Sequence, residues 1–208
     1  MIRRAALLDR AVQQRDARLF VLAVEGAETE PAYFRALEAN DLVPRHRVKL
    51  HVVSPAHNAS APLYILGKAE RAARELSLQP YDEVWLVFDV DVHSGGGRMQ
   101  QVIETAEDAR RRGWGVAISN PCFELWLLLH VSDELAAVTD RGASVVALLK
   151  AALGAYSKRA VPAPCLDGDA IDRATRAARA LDLAPSAPCP PLPSTRVYAL
   201  MERLRQAR

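Results

Sequence analysis

Short, uninterrupted apolar runs are the feature that most constrains how this chain can fold. Residues 19–24 and 84–88 contain no charged or polar side chain, and each run has the length of a typical strand. A strand that is apolar at every position must be covered on both faces, as the strands of a parallel sheet are. Residues 48–53 and 114–118 also fit strands, so the sequence predicts a sheet of at least four strands.

Segments with helical periodicity separate these strands. Thr29 is a candidate N-cap for a helix with Pro31 in its first turn, and Pro62 opens a second helix with an apolar stripe. A third amphipathic helix ends at Gly113, and residues 123–130 fit a short buried helix. The alternation of strands and helices predicts an α/β fold, a parallel sheet sandwiched between helices.

The character of the sequence changes after Val131. Residues 142–153, 169–182 and 194–206 fit helices, and a proline-rich stretch at 185–193 fits an extended connector. The predicted organisation has three parts: an N-terminal helix at residues 1–18, a catalytic core at 19–135, and a helical C-terminal segment at 136–208 packed on that core.

Composition excludes several classes of protein. The 208 residues carry 27 basic and 25 acidic side chains, and a near-zero net charge neither demands nor excludes a nucleic-acid partner. Cys122, Cys165 and Cys189 are few and widely spaced, so neither a disulfide framework nor a zinc site is indicated. No apolar run approaches the roughly 18 residues that a membrane span needs. A cytoplasmic protein without membrane contact is therefore the expectation.

Acidic side chains follow three of the predicted strands. Glu25 and Glu30 come after the first strand, Asp89 and Asp91 after the third, and Glu124 after the fourth. The carboxyl ends of parallel strands lie at one edge of the sheet, where binding sites form. Clustered carboxylates repel one another, and a divalent cation removes that cost. An all-oxygen ligand set indicates Mg²⁺ or Mn²⁺, which can promote phosphodiester hydrolysis.

A phosphatase of the haloacid-dehalogenase type is an alternative for the D-x-D at Asp89 and Asp91. Such enzymes use the first aspartate of the pair as a nucleophile. In that fold, however, the nucleophile typically ends the first strand, whereas two strands precede Asp89 here. Glu25 would also have no role in that scheme.

Several motifs together resemble the RloB-like family, a bacterial group with a Toprim-type catalytic core. They occur in the family's order over nearly the whole chain, and the longest is the most specific. They are V-E-G at 24–26, T-E-P at 29–31, Y-F at 33–34, Y-D-E-V-W at 81–85, F-D-V-D at 88–91, S-N-P-C-F-E-L-W-L-L-L-H at 119–130, Tyr156 with Lys158, and S-T-R-V-Y at 194–198.

The resemblance assigns roles to the acidic residues. By the Toprim pattern, Glu25 corresponds to the glutamate after the first strand, and Asp89 and Asp91 correspond to the metal-binding pair. The similarity extends to overcoming-lysogenization-defect nucleases, Toprim enzymes that use two metals. On that analogy, Glu30 and Glu124 would help to hold a second ion. The residue inside the D-x-D is Val90, and the following residues also depart from the family's usual charges, so different outer contacts are expected here.

Other residues are candidates for contacting substrate. The resemblance makes Lys158 the lysine that contacts the scissile phosphate. His57 and His93 follow predicted strands, Asn120 precedes a proline at a strand end, and Tyr156 is the best candidate for stacking on a base. For both histidines, the interpretation as a solvated loop residue is favoured over contact with substrate.

The expected activity is that of an Mg²⁺-dependent nuclease acting on DNA or RNA in a phage-defence system. Proteins of the RloB-like family resemble partners of an AAA-type ATPase. This chain has no G-x-x-x-x-G-K-[ST] motif, so ATP hydrolysis would come from another chain. The alternative is a non-catalytic subunit that binds nucleic acid or regulates such a system.

Overall fold

A five-stranded, mostly parallel sheet is the centre of the molecule. A computed structural model describes residues 17–55, 62–90 and 97–207. Its strands are β1 (Arg18–Val24), β2 (Val48–Val53), β3 (Glu83–Asp89), β4 (Gly115–Asn120) and β5 (Ser194–Thr195). The strand order is β2-β1-β3-β4-β5, with β5 alone antiparallel to its neighbour. The predicted α/β fold with a predominantly parallel sheet and C-terminal helices is confirmed.

Seven α-helices connect and cover the strands within the described residues. They are α1 (Thr29–Ala39), α2 (Pro62–Glu75), α3 (Arg98–Arg111), α4 (Glu124–Val131), α5 (Gly142–Leu153), α6 (Gly168–Leu181) and α7 (Val197–Gln206). A short 3₁₀ turn at Ala163–Cys165 precedes α6. None of these helices combines the length and the apolar character needed to cross a membrane.

The continuous apolar runs are explained by two hydrophobic cores, one on each face of the sheet. Phe20, Leu22 and Val24 of β1 belong to the core formed with α1 and α4 to α7. The alternate residues of β1 belong to the second core, formed with α2 and α3. Because successive side chains of a strand point to opposite faces, every position of β1 after Arg18 is buried.

The strand order creates a crevice at the carboxyl edge of the sheet. From β1 the chain passes through α1 to β2 on one side, whereas β3 passes through α3 to β4 on the other. Helices α1 and α3, which follow the adjacent strands β1 and β3 in the chain, pack on opposite faces of the sheet. In open α/β sheets, this reversal of strand order is where ligands bind.

The predicted helix at 194–206 is wrong at its start. Ser194 and Thr195 instead extend the sheet, and α7 begins only at Val197. The Thr195 hydroxyl lies 2.9 Å from that of Ser119, and the Arg196 amide donates to the Ile118 carbonyl at 2.8 Å. The Arg196 bond and the pairing of β5 with β4 satisfy backbone groups at the edge of β4 that a helix starting earlier would leave unpaired.

The predicted cap of α1 is also wrong. Glu28, not Thr29, holds the N-cap position, and its side chain makes no capping hydrogen bond. Thr29 is the first helical residue, and its hydroxyl is directed to another site described below. The predicted N-terminal helix falls almost wholly outside the described residues. The core of α5, α6 and α7 is continuous with that of β1, while the proposed domain boundaries stay a prediction.

Candidate functional site

Carboxyl groups from four elements converge at the crevice between β1 and β3. Glu25 directly follows β1, Glu30 lies in the first turn of α1, Asp89 ends β3, and Glu124 begins α4. The charges of Glu25, Glu30 and Glu124 each raise the pKa of Asp89. The structure therefore brings together four of the five acidic residues that the sequence singled out, while Asp91 lies outside the described residues.

Glu25 is held by the backbone of β3 and by an arginine. Its Oε2 accepts a hydrogen bond from the Asp89 amide at 3.0 Å. Its Oε1 contacts Nη2 of Arg98, which also donates to the Asp89 carbonyl at 3.2 Å. The Arg98 side chain is only 8% exposed. Sequence reasoning missed Arg98; its place as the first residue of a helix shortly after the D-x-D was the available signal.

Glu30 turns back over the loop that follows β1. Its Oε1 accepts a hydrogen bond from the Gly26 amide at 2.9 Å, and a Cβ atom at position 26 would overlap its carboxyl group. Burial raises the pKa of Glu30 to about 7, and the negative charges of Glu124 and Glu25 add to the rise. Glycine at position 26 thus leaves room for the Glu30 carboxyl group to fold back onto the loop.

Asp89 lies at the centre of the repulsion between the acidic groups. Removal of its carboxyl group from water raises its pKa well above the usual range, and the nearby Glu30, Glu25 and Glu124 raise it further. A hydrogen bond from the Phe123 backbone opposes the rise but does not cancel it. A cation at this position would relieve the cost of ionising Asp89 and Glu30 together.

Glu124 links the carboxylate cluster to the C-terminal segment. Its Oε1 lies 3.4 Å from the Thr29 hydroxyl, 3.3 Å from the Tyr156 hydroxyl and 3.4 Å from the Lys158 ammonium. Glu124 is buried, whereas the Lys158 side chain is 59% exposed. Attraction to Glu124 is the main reason that the pKa of Lys158 is raised, so this side chain is firmly cationic at neutral pH.

Tyr156 makes polar contacts with its hydroxyl group while its ring is only partly buried. The hydroxyl approaches Thr29 at 3.4 Å as well as Glu124, and its pKa is raised, chiefly by burial. The ring also packs against the core beneath α1 and α4. These contacts explain why Tyr156 is ordered beside the acidic cluster, and base stacking by its ring stays a prediction.

An open cleft of about 610 Å³ adjoins the cluster. Asp89 and Glu124 line it, together with short side chains on one face of α5. Lys150 and Lys158 line it as well, and both are exposed. A cleft of this volume is large enough for a nucleotide-sized group. Its combination of carboxylates and ammonium groups suits a ligand that is phosphorylated and accompanied by a cation.

Three further residues were candidates for contacting substrate, and only one of them lies in the described part of the chain. Asn120 donates from its side-chain amide to the Pro190 carbonyl at 3.1 Å, which fastens the proline-rich segment to the end of β4. Its predicted contact with substrate is not tested by this bond. His57 and His93 lie outside the described residues.

The candidate metal ligands in the described residues are all carboxylate oxygens, which is the ligand type that a hard divalent cation prefers. No group of three or more His, Cys, Asp or Glu side chains in the described ranges has the geometry of a complete metal site. Mg²⁺, however, needs only one or two carboxylates and completes its shell with water and substrate phosphates. Glu25 and Asp89 meet that requirement, with Glu30 and Glu124 close enough to act electrostatically on Asp89.

Comparison with known families accounts for most of the chain. A family profile described as RloB-like protein matches residues 20–204. The chain belongs to the RloB-like family. The matched range runs from β1 into α7 and therefore covers the positions of the acidic cluster, Arg98 and the C-terminal residues that contact Glu124. No curated protein and no solved structure matches the chain.

Proposed function

We propose that this RloB-like protein is a metal-dependent nuclease that hydrolyses phosphodiester bonds in DNA or RNA. The observation that carries the proposal is the convergence of Glu25, Glu30, Asp89 and Glu124 beside a cleft with two exposed lysines. Buried carboxylates repel one another, and a bound divalent cation offsets both this repulsion and the cost of removing their charges from water. A cation next to ammonium groups is also the combination that binds and polarises a phosphodiester.

Each side chain has a separate task in the proposed reaction. Glu25 and Asp89 would hold Mg²⁺ or Mn²⁺, and Glu30 and Glu124 would hold a second ion if two bind. The cation supplies electrostatic stabilisation of the charge that develops on the phosphate oxygens. Lys158 lies at the mouth of the cleft beside Glu124, from which its ammonium group can contact the same phosphate.

The resemblance to Toprim enzymes supports these roles residue by residue. Glu25 follows the first strand and Asp89 ends the third, as the Toprim pattern requires. Asp91, the second aspartate of the pair, is proposed as a further metal ligand on the resemblance alone. We further propose a bacterial defence role together with an AAA-type ATPase, which rests on the family resemblance and not on a contact surface.

Cleavage of labelled DNA and RNA by the purified protein tests the proposal. We expect Mg²⁺- or Mn²⁺-dependent cleavage that EDTA abolishes. In Asp89→Asn and Glu25→Gln variants, the rate should fall by on the order of 100-fold or more, since each change removes charge stabilisation at the reacting phosphate. Glu75→Gln is the matched control, because Glu75 is exposed at the far end of α2 and pairs only locally with Arg71.

The same assay separates the enzyme from a non-catalytic subunit. Binding of nucleic acid without cleavage, both alone and with the neighbouring ATPase, would favour the subunit. Cleavage that is equally fast in the wild type and the Asp89→Asn variant would place the activity elsewhere or in a contaminant, and would overturn the proposed site.

A further inference from the structure

We propose that Arg98 competes with the divalent cation for the Glu25 carboxylate and so sets how tightly the site binds the ion. The inference rests on the proposed function, because it concerns the metal that the nuclease would use. It assigns a positioning role to a residue that neither the motif pattern nor the Toprim analogy identifies.

The Arg98 guanidinium group and a divalent cation would compete for the same oxygen of Glu25, Oε1. Oε2 of Glu25 accepts the Asp89 amide at 3.0 Å, so direct coordination of a metal falls mainly to Oε1. Oε1 is the atom that Nη2 of Arg98 contacts. A guanidinium group and a divalent cation that share this oxygen repel each other, and a metal bound here would weaken or displace the ion pair.

Burial makes this competition strong. The side chains of Arg98 and Glu25 are 8% and 14% exposed, so little water or salt screens the charge of either group. The same guanidinium group donates to the Asp89 carbonyl at 3.2 Å, which keeps it next to the second proposed metal ligand. Its positive charge therefore acts on both ends of the proposed metal site.

The position of Arg98 in its helix indicates a role other than helix stability. Arg98 is the first residue of α3, directly after Gly97, whose φ of 85° lies in the left-handed region. A positive charge at a helix N-terminus opposes the helix dipole and costs stability. The contacts with Glu25 and with the Asp89 carbonyl compensate for this cost and hold Arg98 at the site.

Isothermal titration calorimetry with Mn²⁺ and Mg²⁺ tests the proposal on the full-length protein. Arg98→Gln removes the competing charge, and we expect its dissociation constant for Mn²⁺ to fall roughly tenfold. Arg98→Lys keeps the charge and should stay close to wild type. Arg112→Gln is the control for net charge, since Arg112 pairs with Glu70 and Asp108 about 20 Å away at the other end of α3.

The possible outcomes separate this inference from the proposed function. If wild type binds Mn²⁺ but Arg98→Gln binds it equally or more weakly, Arg98 is a support for Glu25 and the competition is refuted, while the metal site stands. If none of the four proteins binds Mn²⁺ at millimolar concentration, the metal-dependent function fails together with the inference.

A measurement on the wild type covers the case in which Arg98→Gln does not fold. With arginine side chains labelled with ¹⁵N, the Arg98 signal is assigned from its loss in Arg98→Lys. Titration with diamagnetic Mg²⁺ should shift this signal as the contact with Glu25 weakens, and leave that of Arg112 unchanged. An Arg98 signal that does not respond at Mg²⁺ saturation would overturn the proposal.

Discussion

Single residues explain why the acidic cluster has its shape. Gly26 and Glu30 lie four residues apart, and the turn between β1 and α1 brings the Glu30 carboxyl group back onto the Gly26 amide. This fold-back aligns Glu30 toward Glu25 and Glu124, whose charges raise its pKa. Gly26 therefore belongs to the site together with Glu25 and Glu30, because its amide holds the Glu30 carboxyl group in place.

Substitution of Gly26 by alanine tests that role. The added methyl group would overlap the Glu30 carboxyl group, which must turn away and lose its bond to the amide. We expect metal affinity and cleavage to fall on the order of tenfold, as outer contacts of metal sites often do. The melting temperature should change little, because the displaced end of Glu30 is flexible.

Gly67→Ala is the matched control for this change. Gly67 lies within α2, and nothing lies within 4 Å of a Cβ atom built there. Alanine should leave cleavage unchanged and raise stability by roughly 0.5–1 kcal/mol, because glycine is unfavourable inside a helix. Equal metal affinity in Gly26→Ala and wild type would show that Glu30 does not depend on this turn.

The sequence predicted the carboxylates better than their partners. Glu25 and Asp89 could be predicted because each follows an unmistakable strand. Arg98 was harder to predict, because its position as the first residue of a helix does not by itself fix the direction of its side chain. The contact of Thr29 with Tyr156 joins residues 127 positions apart, and no local pattern encodes such a distance.

Among the elements, α4 is distinctive in burying a histidine together with Glu124 and five apolar residues. His130 is inaccessible to solvent, with Nδ1 2.8 Å from the Trp126 carbonyl and Nε2 3.3 Å from the Tyr33 hydroxyl. Burial lowers its pKa to about 4, and the positive charge of Arg173 contributes. The sequence interpretation of His130 as structural agrees with this environment.

The lowered pKa of His130 predicts loss of stability in acid. Above pH 6.5 the imidazole is neutral in both the folded and the unfolded chain, so it has no effect. Between pH 6.5 and 4 the unfolded chain binds the proton more readily. From pH 7.5 to 5 this should lower the free energy of unfolding by about 2 kcal/mol.

Urea unfolding of wild type and His130→Gln over this pH range checks the prediction. The raised pKa values of Glu30 and Asp89 act in the opposite direction, because protonation of these groups favours the folded state. Both proteins contain these carboxyl groups, so the difference between them isolates His130. A difference in unfolding free energy that does not vary with pH would contradict the lowered pKa.

The connection from α6 to α7 is fixed by a buried ion pair. Arg196 and Asp182 are 6% and 0% exposed, with Nε and Oδ2 3.0 Å apart, and the Tyr198 hydroxyl also donates to Asp182 at 3.0 Å. Arg196 donates to the Ala184 and Ala187 carbonyls as well, at 2.8 and 2.7 Å. The R and Y of the S-T-R-V-Y motif thus hold the proline-rich segment against the sheet.

Replacement of Arg196 by methionine should be strongly destabilising. The change leaves the Asp182 carboxylate buried without its cation, which typically costs about 3–5 kcal/mol of unfolding free energy. Arg205→Met is the control, because Arg205 and Asp172 form a partly exposed pair for which at most about 1 kcal/mol is expected. A loss for Arg196→Met as small as that of the control, measured by urea unfolding, would contradict a stabilising role.

The predicted strands and helices match the structure where burial produces a hydrophobic pattern in the sequence, and they differ where it does not. Strands β1 and β3 were predicted within one residue at each end, because two-sided burial requires unbroken apolar runs. Strand β2 was predicted with its observed bounds although only Val48 is buried in this edge strand. Strand β5 has only two residues and therefore no periodicity to detect. Its place depends on pairing with β4, which is a tertiary contact.

At the scale of the whole molecule, the C-terminal segment completes the candidate site as well as the core. Tyr156 and Lys158 reach Glu124 from the loop after α5, while α5 itself lines the cleft. The site thus draws on residues from 25 to 158, far apart in the chain but close to the point where the strand order reverses. This arrangement could be anticipated for the strand ends but not for the segment that covers them.

Anomalous diffraction from crystals soaked in MnCl₂ tests the central claim most directly. We predict an anomalous peak at the manganese edge within direct coordination distance of an Asp89 carboxylate oxygen, with Glu25 or Asp91 as a second protein ligand. Crystals of Asp89→Asn soaked in the same way should lack the peak or show it much weakened. Saturating Mn²⁺ with no peak at the carboxyl ends of β1 and β3, or a peak bound only elsewhere, would contradict the account.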